Sequence, residues 1–213
     1  MTKAVFLDRD GVINRKLPGD GYVTTWKEFR VLPGVVEAIA RLNCASFYVI
    51  VVTNQRCIAK GLLTTAELEK IHWRMSDFLG RHGATIDAVY YCPHEMEPLC
   101  SCRKPAPGML LKAAREYAID LPASWIIGDS DADIEAGRKA GCKTARLSTG
   151  EEAGGKRKSR QRALIHSDII APSLLNAVCQ ILQQPEAAKD SVDVGETIHQ
   201  LFQKAPAETK RSL

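Results

Sequence analysis

Long apolar runs are missing from this chain of 213 residues, and aromatic residues make up only 6% of it. No stretch approaches the roughly 18 uninterrupted apolar residues of a membrane span. The start, Met1-Thr-Lys-Ala-Val-Phe-Leu-Asp8, has no apolar core ahead of a small-residue cleavage site. A cytoplasmic protein that meets no membrane is expected. Charge of one sign is not in large excess either: 29 Lys and Arg stand against 25 Asp and Glu, a net of +4. The segment Lys156 to Arg162 carries five of those cations, which leaves the remainder close to neutral. Basicity that local argues against a broad nucleic-acid surface, and sparse aromatics offer no platform for stacked bases. No nucleic-acid partner is expected, and the basic segment reads as a solvated loop. Seven cysteines are an odd set for a secreted disulfide framework. Three of them crowd between Cys92 and Cys102, whereas Cys44, Cys57, Cys142 and Cys179 are scattered and read as small buried or semi-buried side chains.

What is present is a hydrophobic content of 45%, enough for one substantial core. One main domain over residues 1–184 is expected, with a weakly ordered tail at 185–213 in which Thr197 to Phe202 forms at most a short helix. Short apolar runs at 4–7, 47–52, 86–91, 125–127, 144–147 and 168–170 read as buried strands. Helical patterns lie between them at 33–42, 64–82, 107–118 and 132–140, and another runs to about residue 182. The alternation predicts an α/β fold with a parallel sheet. Thr64-Thr-Ala-Glu67 has capping-box spacing and marks a helix start.

Ligands of an open parallel sheet collect beyond the carboxyl ends of its strands, so the polar residues at those ends should converge. Asp8 and Asp10 follow the first strand, at alternate positions that face one way, and Gly11 then permits a tight turn. A surface turn would use the same residues. Their alternative use is phosphoryl transfer, in which Asp8 attacks phosphorus, Asp10 protonates the departing oxygen and Asp10 then activates water. That second duty calls for surroundings that raise the proton affinity of Asp10. Asp129, in Gly128-Asp-Ser-Asp-Ala-Asp133, is either a helix cap or a Mg²⁺ ligand, with Asp133 in support. Thr53 and Asn54 end the second strand, where a hydroxyl and an amide suit phosphoryl oxygens or simply a strand-to-loop junction.

Cys92-Pro-His94 followed by Cys100-Ser-Cys102 places three thiols and an imidazole within eleven residues. Four S and N ligands favour tetrahedral Zn²⁺ with no open position, hence a structural ion. Because Cys102 directly precedes Arg103 and Lys104, such an ion would set the direction in which both cations leave the loop.

Taken together, Asp8-Arg-Asp-Gly-Val-Ile-Asn14, Val52-Thr-Asn-Gln55, the Cys92 to Pro105 segment and Gly128-Asp129 resemble the successive motifs of the haloacid dehalogenase superfamily. The zinc motif is similar to that of the branch containing D-glycero-D-manno-heptose bisphosphate phosphatases and histidinol-phosphate phosphatases. The resemblance implies a capless, Rossmann-like sheet with helices on both faces, a small zinc-bound loop, and a monomer acting on a small phosphorylated sugar or related metabolite. It implies Asp8 as nucleophile, Asp10 as acid/base, and Mg²⁺ held by Asp8, Asp129 and the Asp10 carbonyl. Thr53, Asn54 and Lys104 would surround the phosphoryl group, with Gln55, Arg103, Asp20, Gly21 and Tyr22 among the residues meeting substrate. Heptose 1,7-bisphosphate is the first expectation and histidinol phosphate the second. The chain departs from the family pattern at Arg56-Cys57, at Ser130 and in the five-residue spacer of the zinc motif, and Arg56 is expected to supply the charge missing at Ser130.

Overall fold

The computed structural model describes residues 2–19, 21–97, 100–148 and 166–184. The basic segment 156–162, the tail 185–213 and Asp20 lie outside the described residues. The rest builds one six-stranded sheet from β1 (Ala4–Leu7), β2 (Tyr48–Asn54), β3 (Ala88–Cys92), β4 (Trp125–Gly128), β5 (Lys143–Leu147) and β6 (Ile169–Ala171). Their order is β3-β2-β1-β4-β5-β6, and every pairing is parallel. Parallel neighbours need a crossover, supplied by α1 (Val35–Cys44), α2 (Thr65–Arg81), α3 (Gly108–Tyr117) and α4 (Asp131–Ala140), while α5 (Leu174–Leu182) follows β6 and packs back on the sheet.

Alternation along the strands divides the core between two faces. Val5 and Leu7 of β1, with Val49 and Val51 of β2, pack among Ile39, Leu42, Met75, Leu79, Val178 and Ile181, which belong to α1, α2 and α5. Ala4, Phe6, Ile50 and Val52 point the other way, toward Met109, Leu110 and Ala113 of α3 and Ala136 and Ala140 of α4. Both faces of the sheet are therefore dry, which is why its strands read as continuous apolar runs rather than alternating ones.

The helix ends follow local chemistry. The Thr64 hydroxyl accepts from the Glu67 N–H at 3.2 Å, and the Glu67 carboxylate accepts from the Thr64 N–H at 2.8 Å, the expected capping box. Ser173 caps α5 by accepting from the Asn176 N–H. Strand β2 runs two residues past its expected end at Val52 because Thr53 and Asn54 keep parallel register with Tyr91 and Cys92. Among the described residues of 8–34, between β1 and α1, there are only turns and isolated bridges. No large cap is inserted there.

Candidate active site

The strand order reverses between β1 and β4, and a crevice opens where their carboxyl ends diverge. A cleft of about 220 Å³ lies there, lined by Asp8, Asp10, Lys16, Tyr22, Thr53, Asn54, Lys104, Ser130 and Asp133, among others. Asp8 leaves β1 with its N–H still bonded to the Ile127 carbonyl at 3.0 Å, so the sheet fixes its backbone. Gly11 turns the chain at φ 94°, and a Cβ there would stand 2.2 Å from Asp129 Oδ2. Glycine is required on both counts.

Lys104 is the electrostatic hub. Its Nζ lies 2.9 Å from Asp8 Oδ1 and 2.5 Å from Asp133 Oδ1, and it donates to the Val52 carbonyl at 2.7 Å. Burial would lower the Lys104 pKa, but the charges of Asp133 and Asp8 outweigh it and push it up. Its backbone is held as well: the Lys104 N–H donates to Asn54 Oδ1 at 3.1 Å, and Asn54 Nδ2 donates to the Lys104 carbonyl at 3.0 Å. The Asn54 side chain, expected among phosphoryl oxygens, thus clasps the segment that brings Lys104 in.

Asp8 and Asp10 sit in opposite electrostatic settings. Burial pushes the Asp8 pKa up to about 7; Lys104 opposes this, and the charges of Asp133, Asp129 and Asp10 add to it. Burial would raise Asp10 too, but the Arg9 guanidinium and hydrogen bonds from Asn14 and Gln55 hold it below the usual carboxylate range. The raised proton affinity expected of Asp10 is therefore not found. Arg9 Nη2 donates to both Asp10 oxygens at 3.1 and 2.9 Å, Asn14 Nδ2 to Oδ1 at 2.9 Å, and Gln55 Nε2 to Oδ2 at 2.9 Å.

Gln55 does not line the cleft: it is buried against Asp10 and donates to Thr53 Oγ1 at 2.8 Å. Arg56 and Arg103 are also absent from the lining. Arg56 Nε pairs with Glu95 at 2.5 Å, and Arg103 donates to the His94 carbonyl at 3.3 Å. Gly21 and Tyr22 do line the cleft.

Three participants went unseen in the sequence. Lys16 Nζ pairs with Asp129 Oδ2 at 2.6 Å across 113 residues. Arg9 is fully buried, and its Nη1 lies 3.1 Å from Nε2 of His72, on the buried face of α2. Burial and the Arg9 charge hold the His72 pKa down at about 3, so the ring is neutral and accepts the Arg9 proton.

Two groups of side chains fit metal ions. Ligand atoms of Asp8, Asp129 and Asp133 lie within 4.8 Å of one another. Asp133 is committed: it pairs with Lys104, and its Oδ2 accepts from the Ser130 N–H and hydroxyl at 3.1 and 2.5 Å. That bonding caps α4 and frees Asp129 from capping. Asp129 Oδ1 is buried with no hydrogen-bond partner, which suits a ligand of a hard cation. Burial raises the Asp129 pKa, partly offset by Lys16.

The second group is Cys92, His94, Cys100 and Cys102, also within 4.8 Å of one another. Cys92 Sγ is 3.5 Å from Cys100 Sγ, Cys100 3.4 Å from Cys102, and Cys102 3.2 Å from His94 Nδ1. A tetrahedral ion 2.3 Å from each sulfur holds sulfurs about 3.8 Å apart, so small shifts would admit Zn²⁺. Burial, with hydrogen bonds and charge from Cys92 and Cys100, pushes Cys102 up to about 12. A divalent cation is what would let several such thiols ionise together.

A family model described as HAD-hydrolase-like matches residues 101–177. The D-glycero-beta-D-manno-heptose-1,7-bisphosphate 7-phosphatase of Bordetella bronchiseptica is 38% identical, over 85% of this chain and 99% of that protein. The chain belongs to the haloacid dehalogenase-like phosphatases. The crystal structure of the D,D-heptose 1,7-bisphosphate phosphatase from B. bronchiseptica, complexed with magnesium and phosphate, superimposes with a TM-score of 0.72 at 36% identity, covering 85% of this chain and 99% of that one. The D-glycero-alpha-D-manno-heptose-1,7-bisphosphate 7-phosphatase of Mycobacterium bovis is 41% identical over 62% of this phosphatase and 69% of its own length. Among the described residues, no helix is long and apolar enough to cross a membrane.

Proposed function

We propose that this phosphatase removes the 7-phosphate of a D-glycero-D-manno-heptose 1,7-bisphosphate, leaving the heptose 1-phosphate. The observation that carries the chemistry is the placement of Asp8 and Asp10 at one cleft, with Lys104 bound to the first and three donors on the second. The similarity to heptose bisphosphate phosphatases over most of the chain supports the substrate.

An Asp8 carboxylate oxygen attacks phosphorus, forming an aspartyl phosphate as the bond to the sugar oxygen breaks. The departing oxygen takes a proton from Asp10. Arg9 holds Asp10 ionised before substrate arrives, and an incoming phosphate dianion raises its proton affinity by like-charge repulsion, so that it takes up a proton from solvent as substrate binds. Asp10 then takes a proton from water, which displaces Asp8 and releases inorganic phosphate. Lys104 neutralises charge beside Asp8, and Thr53 offers its hydroxyl to the phosphoryl oxygens. Asp8, Asp129 and the Asp10 carbonyl would hold Mg²⁺, which when bound screens the phosphate from the carboxylates. Cys92, His94, Cys100 and Cys102 would hold Zn²⁺ and brace the turn into Arg103 and Lys104.

The test is kcat/KM on the alpha and beta heptose bisphosphates and on histidinol phosphate, with the Asp8→Asn variant as control. Either heptose should be preferred and Asp8→Asn should abolish turnover. A preference for histidinol phosphate overturns the substrate, and phosphate release by Asp8→Asn at the native rate overturns the covalent step.

A further inference from the structure

Asp10 lines the cleft, whereas Arg9, Gln55 and His72 are buried outside its wall. Arg9 Nη2 donates to both Asp10 oxygens and to Gln55 Oε1, the last at 3.1 Å. Gln55 directs its own amide to Asp10 Oδ2 and to Thr53 Oγ1. One nitrogen of Arg9 therefore fixes Asp10 twice, once directly and once through Gln55.

What fixes the guanidinium itself is His72. Arg9 Nε is buried with no hydrogen-bond partner, so besides the Phe29 ring, 5.9 Å from Cζ, the group is tethered at its two terminal nitrogens. Nη1 lies 3.1 Å from His72 Nε2, its acceptor among the described residues. Because Nε2 accepts, the ring proton of His72 sits on Nδ1. The imidazole is held from two elements: α2 carries it, and the Tyr91 ring of β3 is tilted against it with centroids 5.7 Å apart. The Tyr91 hydroxyl in turn donates to Glu69, one turn earlier on α2, at 3.1 Å.

We propose that His72 is a positioning residue of the reaction: by accepting from Arg9 Nη1 it fixes the guanidinium that, with Gln55, aims the Asp10 carboxyl at the leaving oxygen. The proposal rests on the phosphatase reading above and adds to it a residue that touches neither substrate nor metal. Without this acceptor Nη1 is left unpaired in a dry site, the guanidinium turns toward another partner, and Nη2 releases Asp10 and Gln55 together. A proton donor must stand within hydrogen-bond reach of the departing oxygen, and a displacement of about 1 Å costs about a hundredfold. That cost falls on the step that needs the proton. A sugar alkoxide leaves poorly without one, whereas p-nitrophenolate is a stable anion and leaves unprotonated.

The test measures single-turnover release of the leaving group, with protein in excess and Mg²⁺ saturating, from heptose 1,7-bisphosphate and from p-nitrophenyl phosphate. Any alkyl phosphate that the chain turns over can stand in for the heptose. His72→Leu should slow release of the sugar about tenfold or more with KM unchanged, and release of p-nitrophenolate less than about threefold. His72→Gln, whose side-chain carbonyl can accept from Nη1, should recover most of the sugar rate. Equal losses on both substrates, or no loss on either, overturn the proposal, the first meaning that His72 only supports the fold. A Gln variant no faster than the Leu variant overturns it too. Arg9→Lys, which keeps the charge but not the planar fork, covers a Leu variant that does not fold and should show the same selective loss. Asp10→Asn separates the two levels: a selective loss there without one in His72→Leu overturns the positioning role alone, and an equal loss there overturns the proton donor on which it rests.

Discussion

Replacing Asp8 by Asn should change how stability varies with pH as well as abolish turnover. The folded pKa of Asp8 is about 7, raised from 3.8. Between those values the folded chain keeps a proton that the unfolded chain has released, so the stability this group contributes at low pH is lost as pH rises toward 7. His72 works in the opposite sense. Its folded pKa is about 3, lowered from 6.5. In that interval the unfolded chain takes up a proton the folded chain refuses, and stability grows as pH rises. Each slope is about 1.4 kcal/mol per pH unit, so from about pH 4 to 6.5 the two nearly cancel in the native chain. Asp10 and Asp133 are held low and finish titrating beneath that window. Asp8→Asn removes the larger opponent of His72 and leaves only the weaker counter-slope of Asp129, whose pKa burial also raises. Between about pH 5 and 6.5 the variant should gain roughly 2 kcal/mol relative to the native chain, or about 4 to 8 °C in Tm for a domain this size. Thermal denaturation in a pH series without added divalent ion measures it. Parallel Tm profiles for the two chains would refute the reasoning. Saturating Mg²⁺ should tilt the native profile toward that of the variant, because binding an ion draws the proton off Asp8.

Gly11→Ala forces a side chain to φ 94° and to 2.2 Å from Asp129 Oδ2, so Asp129 must move. A displacement on that scale should cost about a hundredfold in kcat/KM with a stability loss of roughly 1–3 kcal/mol, read by steady-state kinetics and calorimetry; native kinetics would show that Asp129 tolerates the shift. Cys102→Ser removes one of four converging donors. Bound zinc, measured by elemental analysis, and activity should fall together, the latter tenfold or more, and a zinc-free chain with native kinetics would separate the loop from catalysis.

The sheet was legible because both its faces are buried, which turns each strand into an unbroken apolar run bounded by polar residues. Asp8 and Asp129 were legible for a related reason: each directly follows a strand, and the parallel topology dictates that such ends meet, whereas Lys104 stands twelve residues past β3 at the exit of the Cys92 to Cys102 loop. Lys16 obeys no such rule. It lies in a connection without periodicity, and only the folded chain brings it to Asp129. Arg9 reads as an exposed turn residue between two acids, yet it is fully buried. His72 did leave a signal, since Leu68, Ile71 and Met75 place it on the buried side of α2, where an imidazole needs a partner. What the sequence could not reveal was that the partner is Arg9.

That pairing explains the contrast between the two aspartates. A guanidinium buried beside Asp10 needs acceptors to offset the cost of its desolvation, and both of its terminal nitrogens find them although Nε is buried without a partner. Nη2 is satisfied by Asp10 and by Gln55 Oε1 at 3.1 Å, while Nη1 needs an acceptor that adds no second positive charge. His72 meets that need because burial and Arg9 keep it neutral. Arg9 can then hold Asp10 ionised while Asp8, a residue away on the other side of it, is left with Lys104 as its cation against three neighbouring carboxylates. Two acids at alternate positions of one strand end are thereby driven in opposite directions, and the order is the reverse of the one that a carboxylate nucleophile and its proton donor require. It is the proposed nucleophile that carries the raised pKa, so a cation at Asp129 would do more than bind substrate: it would ionise Asp8 for attack.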